Sequence, residues 1–200
     1  MIKAVIFDMG GVLLRTEDRA PRTALGQRFG LSYEQMDELV FNSESARQAT
    51  TGSIPEEKHW RTIAERLQFS PAEIDAFRTA FWGGDRADQA LLEYLSGLRP
   101  AIRTALLSNA WSNARAELVE FHGLNRVFDL IIYSAEIGLA KPDPRIYQYA
   151  LDQLNVRPEE AVFVDDMPAN VEAARAVGMH AVPFQNSQQT IEALENLIQR

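Results

Sequence analysis

Cysteine is absent from this 200-residue chain, and lysine occurs only at Lys3, Lys58 and Lys141. Without thiols there are no disulfides, no zinc thiolates and no sulfur nucleophile, a composition that fits a cytoplasmic enzyme. A net charge of −8 with no Lys/Arg-rich run argues against nucleic acid as a partner. No stretch offers about 18 uninterrupted apolar residues, so no membrane span is expected. The apolar N-terminal run is broken by Asp8 with no small-residue cleavage site after it, which reads as a strand rather than a signal peptide. Low-complexity tracts and internal repeats are also lacking. The length suits one domain with a large insert, or two small domains.

What is present is organised around Ile2–Leu13. A Val/Ile-rich run of this kind reads as a buried strand of a parallel sheet, and it ends on Asp8 followed by Met9, Gly10 and Gly11. A carboxylate at the mouth of a buried strand is costly unless a metal, a cation or hydrogen-bond donors meet it. Glycines there allow a tight turn that brings backbone N–H groups near an anion. The plain alternative is an Asx turn closing a strand.

From Arg15 to about Gly84 the pattern is helical. Ser32 with Gln35, Ser53 with Glu56 and Ser70 with Glu73 fit capping boxes, and Pro71 takes a favoured first-turn position. Trp60, Ile63, Ala64 and Leu67 recur at helical spacing, and no strand-like run is visible. From Asp85 onward helices and strands alternate. Helices are expected around 87–98, 113–121, 145–154 and 168–177 and at the C-terminus, with strands at 104–107, 127–133, 161–164 and 181–182. This order predicts an α/β fold, a Rossmann-like parallel sheet flanked by helices, with an inserted all-helical cap. The core is expected over 1–15 and 85–200, and the cap over 16–84. Asp8, Ser108 and the pair Asp165-Asp166 all fall at strand C-termini, where such sheets bind ligands.

Three carboxylates in one crevice cannot all stay ionised uncompensated, and oxygen-only ligands of this type suit Mg²⁺. Lys141, stiffened by Pro142 and Pro144, adds one positive charge; Ser108 adds a hydroxyl, and Asn109 opens a loop of N–H donors. A carboxylate nucleophile, a metal, a lysine and aimed donors make a phosphoryl-transfer site. A strand-end serine, a surface lysine and helix-capping acids are the plain readings of the same residues. His59, His122 and His180 lack ligand spacing and read as structural or exposed. Trp60 and Trp82 read as packing residues, while Trp111 borders either the insert or the site.

Taken in order, 7–13, 107–109, 141–144 and 163–166 resemble the four motifs of the haloacid dehalogenase superfamily, most of whose members are phosphatases. The resemblance covers the whole chain, with the insert where a helical cap is expected. It implies that Asp8 is the nucleophile, forming an aspartyl-phosphate, and a Mg²⁺ ligand. It places Asp166 as the main acidic ligand, with Asp165 close by or acting through water, and the Gly10 carbonyl as a further ligand. Met9, Gly10, Ser108, Asn109 and Lys141 form the implied phosphate-contacting set, with a small phosphorylated metabolite such as a sugar phosphate as the implied substrate. Asn170 falls where many relatives carry another acid.

One position departs from the family. Most of its phosphatases carry a second Asp two residues after the nucleophile as general acid and base, where this chain has Gly10. General acid–base help is typically worth roughly 10²–10⁴ in rate. Asp-Met-Gly-Gly-Val resembles a branch of sugar-phosphate phosphatases with the same glycine, and Glu17, Asp18 and Glu44 are the candidate stand-ins. Two other functions compete: a metal-independent 2-haloacid dehalogenase, favoured by Asn109-Ala110-Trp111 but opposed by Asp165-Asp166, and a non-catalytic binding protein. Arg15, Arg22 and Arg47 are weaker substrate-contact candidates. The cap is expected to hinge near Arg15–Asp18 and Trp82–Asp85.

Overall fold

The computed structural model describes residues 1–113 and 126–199. The helix expected around 113–121 falls, beyond Asn113, outside the described residues, as does His122. Five parallel strands form the central sheet in the order β5-β4-β1-β6-β7: β1 Ala4–Phe7, β4 Arg103–Ser108, β5 Leu130–Tyr133, β6 Ala161–Asp165 and β7 His180–Pro183. The first strand lies in the middle because its residues are apolar on both sides. Phe7 aligns with Leu106 on one neighbour and Val164 on the other.

Successive side chains of a strand point to opposite faces, and two apolar layers result. Val5, Phe7, Leu106, Val162 and Val164 face one layer, closed by α6 (Gln89–Leu98) and α10 (Ser187–Ile198). Ala4, Ile6, Ala105, Leu107 and Phe163 face the other, closed by α8 (Pro144–Leu154) and α9 (Pro168–Ala176). A short helix, α7 (Ser134–Ile137), follows β5 directly.

Between β1 and α6 stand five helices: α1 Ala20–Arg28, α2 Tyr33–Phe41, α3 Glu44–Thr50, α4 Glu56–Leu67 and α5 Ile74–Trp82. They enclose an apolar cluster of their own that includes Leu25, Met36, Leu39, Trp60, Phe77 and Phe81. The capping boxes at Ser32/Gln35 and Ser70/Glu73 are formed. The one expected at Ser53/Glu56 is not. Pro55 precedes α4 without a side-chain cap, and the Glu56 N–H instead donates to Ser112 Oγ at 3.2 Å. Glu56 is drawn inward because its carboxylate accepts from Trp60 Nε1 (2.8 Å), Asn113 N (3.1 Å) and Arg78 (3.2 Å).

The stretch expected to be wholly helical also has strand-like ends. β2 (Leu14–Thr16) pairs antiparallel with β3 (Asp85–Ala87), so entry to and exit from the insert form one ribbon. The helix expected from Ala87 therefore starts later, at Gln89, capped by Asp88, whose side chain accepts from Leu91 N–H at 3.0 Å. Arg22 ties the ribbon to the insert: its buried guanidinium meets Asp85 at 3.1 Å and Asp37 at 2.9 Å.

Candidate active site

Parallel pairing puts the ends of β1, β4 and β6 at one level, and the crevice is built there. Asp8 follows β1, Ser108 ends β4, and Asp165 ends β6. Oxygens of Asp8, Asp165 and Asp166 all lie within 4.8 Å of one another. Lys141 reaches between them: its Nζ is 2.7 Å from Asp8 Oδ1 and 2.7 Å from Asp165 Oδ2, with a side chain only 1% exposed. The ammonium also lies 5.3 Å from the centroid of the Phe163 ring.

The two acids at the end of β6 do different things. Asp165 is fully buried, and its oxygens also accept from Met167 N–H (2.8 Å) and Asn170 Nδ2 (3.0 and 3.1 Å). Asp166 is exposed to the crevice. It approaches the turn after Asp8 so closely that a Cβ on Gly11, whose φ is +77°, would overlap its carboxylate. Gly10 is the reverse case: it carries no positive φ, and a Cβ there would meet nothing within 4 Å.

Asn109 grips the main chain of Lys141 from both sides, its Oδ1 accepting from Lys141 N–H at 2.8 Å and its Nδ2 donating to Lys141 O at 2.9 Å. The lysine loop is thereby fastened to the end of β4. Burial pushes the Asp8 carboxyl up to about 6, against the opposing pull of Lys141 and with a further push from Asp165. Burial and Asp165 likewise raise Asp166. The site thus carries more negative charge than its one lysine balances.

Of the residues singled out by sequence, Asp8, Ser108, Asn109, Lys141, Asp165 and Asp166 come to this edge. Met9 does so through its main chain: its N–H donates to the Asp8 carboxylate, while its side chain lies in the core. Other candidates are committed elsewhere. Asp18 accepts from Ala20 N–H at the start of α1. Arg47 and Gln48 hold Glu44 and lower its pKa, which makes it a poor proton donor. Arg15 pairs with Asp88 at 2.8 Å, and Arg47 is an exposed partner of Glu44. His59 is buried, its Nδ1 2.8 Å from Ser45 Oγ, and His180 is exposed. Trp111 packs into the insert's cluster against His59 and Trp60, with its Nε1 donating to Thr50 Oγ1 at 3.2 Å. Asn170 as a donor to Asp165, and Glu56 as the receiver of the loop after β4, were not foreseen. A buried amide four residues after an acid pair was the available signal for the first.

Residues 2–178 match the haloacid dehalogenase-like hydrolase family. The sesquiterpene phosphatase of Aspergillus oryzae is 29% identical over 98% of this chain and 96% of its own length. The phosphorylated carbohydrates phosphatase of Thermotoga maritima is 28% identical over 90% of this chain and 84% of its own. Several longer curated relatives match about half of this chain and less than a fifth of themselves. Among solved structures, a family enzyme from Bacteroides thetaiotaomicron in complex with magnesium and inorganic phosphate superposes with a TM-score of 0.75. It is 23% identical and covers 92% of this chain and 95% of its own. The 2-haloacid dehalogenase of Pseudomonas syringae pv. Tomato reaches 0.69 at 18% identity over 100% and 99%. Fold likeness therefore extends to a family enzyme holding magnesium and inorganic phosphate and to a dehalogenase, while both curated relatives named above are phosphatases. With the motifs in order, the sheet in the expected topology and the family match over most of its length, the chain belongs to the haloacid dehalogenase-like hydrolases.

Proposed function

We propose that this hydrolase is a Mg²⁺-dependent phosphatase that cleaves a small phosphorylated metabolite through an aspartyl-phosphate on Asp8. The observation that carries the reading is the convergence of Asp8, Asp165 and Asp166 around a single lysine. An all-oxygen donor set with excess negative charge fits a hard divalent cation. Asp8, Asp166 and the Gly10 carbonyl would hold it, while Asp165, whose oxygens are taken by Lys141, Asn170 and Met167, aims the lysine. Bound there, Mg²⁺ supplies charge neutralisation of the phosphoryl oxygens.

The chain's own residues do the rest. Asp8 attacks phosphorus, and the bond to the departing oxygen breaks with its electron pair. Lys141, the Ser108 hydroxyl and main-chain N–H groups at Met9, Gly10 and Asn109 hold the phosphoryl oxygens. Water then attacks the acyl phosphate, releasing phosphate and restoring the carboxylate. Gly10 has no proton to give, so the departing oxygen takes its proton from water.

The helical stretch 16–84 acts as a cap that excludes water from the crevice, turning about the ribbon and Gly83-Gly84. The loop after β4 meets it through Ser112, Asn113 and Trp111. The cysteine-free composition supports a cytoplasmic setting, and among the described residues no helix is long and apolar enough to cross a membrane.

The test is phosphate release from a panel of phosphorylated metabolites with MgCl₂ and with chelator, beside halide release from 2-haloacids. Mg²⁺-dependent phosphate release is expected. Halide release without metal, and none of phosphate, overturns the proposal in favour of a dehalogenase.

A further inference from the structure

The insert is joined to the sheet domain at two places, and the joints are built differently. At the ribbon, Thr16 bonds to Asp85 at 2.6 Å, and the buried Arg22 guanidinium holds both Asp85 and Asp37. Parting that guanidinium from Asp85 would strand a buried charge, so the ribbon is a permanent joint. The second joint is made by the turn between α3 and α4, together with the start of α4, against the loop that follows Ser108.

Five consecutive residues of that loop divide their bonds between the two bodies. Asn109 grips Lys141. Ala110 is tied to α7, its N–H donating to Ser134 Oγ at 3.0 Å and its carbonyl accepting from Ala135 N–H at 3.3 Å. The next three turn to the insert. Trp111 Nε1 donates to Thr50 Oγ1, and its indole lies 4.6 Å from the His59 ring and 5.4 Å edge-on from Trp60. Ser112 Oγ accepts from Glu56 N–H at 3.2 Å. Asn113 N–H donates to Glu56 Oε2 at 3.1 Å, and its side-chain amide donates to Glu57 at 2.7 Å. Beside them the α3–α4 turn runs so close to α7 that a Cβ on Gly52, whose φ is +69°, would overlap the Ala135 carbonyl.

Glu56 makes this second joint separable. Its side chain is buried, and its two oxygens face different bodies. Oε1 accepts from Trp60 Nε1 and Arg78, both inside the insert, while Oε2 serves the core loop. When the insert lifts away, Oε1 keeps its partners and Oε2 turns to water, so the charge is not left buried and bare. The Thr50 and Ser112 hydroxyls can be rehydrated in the same way.

We infer that Glu56 is a positioning residue, the latch that seats the insert on the Ser108–Asn109 loop and releases it when substrate enters and product leaves. Because Asn109 and Ala110 are braced on the core, the latch fixes where the insert closes relative to the phosphate-side groups. The inference rests on the reading of 16–84 as a moving cap over a phosphatase site.

The test uses the full chain and two variants. Glu56→Gln keeps the volume, and its carbonyl is held by Arg78 and Trp60, which turns an NH₂ toward the Asn113 N–H and breaks the latch alone. Ser112→Ala weakens the same joint from the core side. Hydrogen–deuterium exchange is expected to quicken about tenfold at 50–57 and 111–113 in Glu56→Gln, and less in Ser112→Ala, with 14–16 and 85–87 at parental rates. With MgCl₂, KM for p-nitrophenyl phosphate is expected to rise about fivefold in Glu56→Gln with kcat within about twofold, because the closed insert encloses the bound ester. A merely structural role would lower the folded fraction, and so kcat, and leave KM unmoved. Unchanged exchange at 111–113 in both variants, or an unmoved KM in Glu56→Gln, overturns the inference. If neither p-nitrophenyl phosphate nor acetyl phosphate is hydrolysed, the phosphatase reading fails separately, and exchange alone decides the latch.

Discussion

Asn109 holds Lys141 by its backbone, through paired bonds of 2.8 and 2.9 Å that cross 32 residues of sequence. The amide thus sets the level at which the lysine ammonium reaches Asp8. Asn109→Ala removes both bonds and leaves two partly buried backbone groups without partners, a loss of about 2 kcal/mol. Activity on any phosphate ester should fall about tenfold or more, mostly in kcat, because the lysine loop loses its register. Asn109→Asp keeps the acceptor for Lys141 N–H and should recover part of the loss. Steady-state kinetics beside urea denaturation checks this, and unchanged kcat in Asn109→Ala would refute it.

Asp165 and Asp166 should separate stability from metal binding. Removing Asp165 strips the buried Lys141 ammonium of one of its two carboxylates and Asn170 of its acceptor. Breaking a buried pair by removing one partner costs about 3–5 kcal/mol. Asp166 faces the crevice, so Asp166→Ala should leave the urea midpoint nearly unmoved while abolishing the response to Mg²⁺. A Mg²⁺ titration of activity alongside denaturation curves decides it, and the reverse pattern would exchange the two roles.

Neighbouring glycines should respond in opposite ways. Gly11→Ala forces a Cβ into the Asp166 carboxylate at φ +77° and should lower both stability and metal affinity. At Gly10 the space is open. Gly10→Asp is therefore expected to fold and to supply the missing proton donor. It should raise kcat/KM on alkyl phosphates by about tenfold or more, while activated aryl phosphates, which need little protonation, change less. Equal wild-type rates on alkyl and aryl esters would mean that another group already donates the proton.

Two buried groups make stability depend on pH with opposite signs. Asp8 keeps its proton to about pH 6 in the folded chain but only to about 3.8 when unfolded, so its penalty grows as pH rises across that window. His59 is buried neutral, which lowers it from 6.5 to about 4; the unfolded chain takes the proton first, and stability rises as pH climbs from 4 to 6.5. In chelator, Asp8→Asn should therefore be more stable than the parent at pH 7.5, on the order of 1–3 kcal/mol, with the gain gone by pH 4. His59→Phe should flatten the acid loss between 6.5 and 4. Urea midpoints across pH 4–8 measure both, and a less stable Asp8→Asn at pH 7.5 would contradict the burial argument.

Sequence periodicity carried the sheet well, because a strand apolar on both faces, such as Ala4–Phe7 or Ala161–Asp165, has few other ways to be buried. The acids at strand ends were legible for the same reason: a charge placed there breaks the pattern. Less visible were features that depend on partners distant in sequence. Ser53 and Glu56 have the spacing of a capping box, yet Glu56 is recruited by Trp60, Arg78 and the N–H of Asn113. The three-residue strands at Leu14–Thr16 and Asp85–Ala87 are too short to show periodicity, and only their pairing defines them. By local pattern Trp111, close behind Ser108, suits the insert and the site equally. In the fold it is carried by the core but packs into the insert.

That ribbon has a consequence for how such a chain can be rebuilt. Because Thr16 lies directly across from Asp85, the two points where the chain leaves and rejoins the sheet domain are one strand spacing apart, about 5 Å. Any module whose two ends approach that closely can be spliced at the same place without moving β1 or disturbing the carboxylates beyond it. Thr16 and Asp85, joined by a 2.6 Å hydrogen bond, are the natural suture points for grafting a foreign lobe onto this catalytic base.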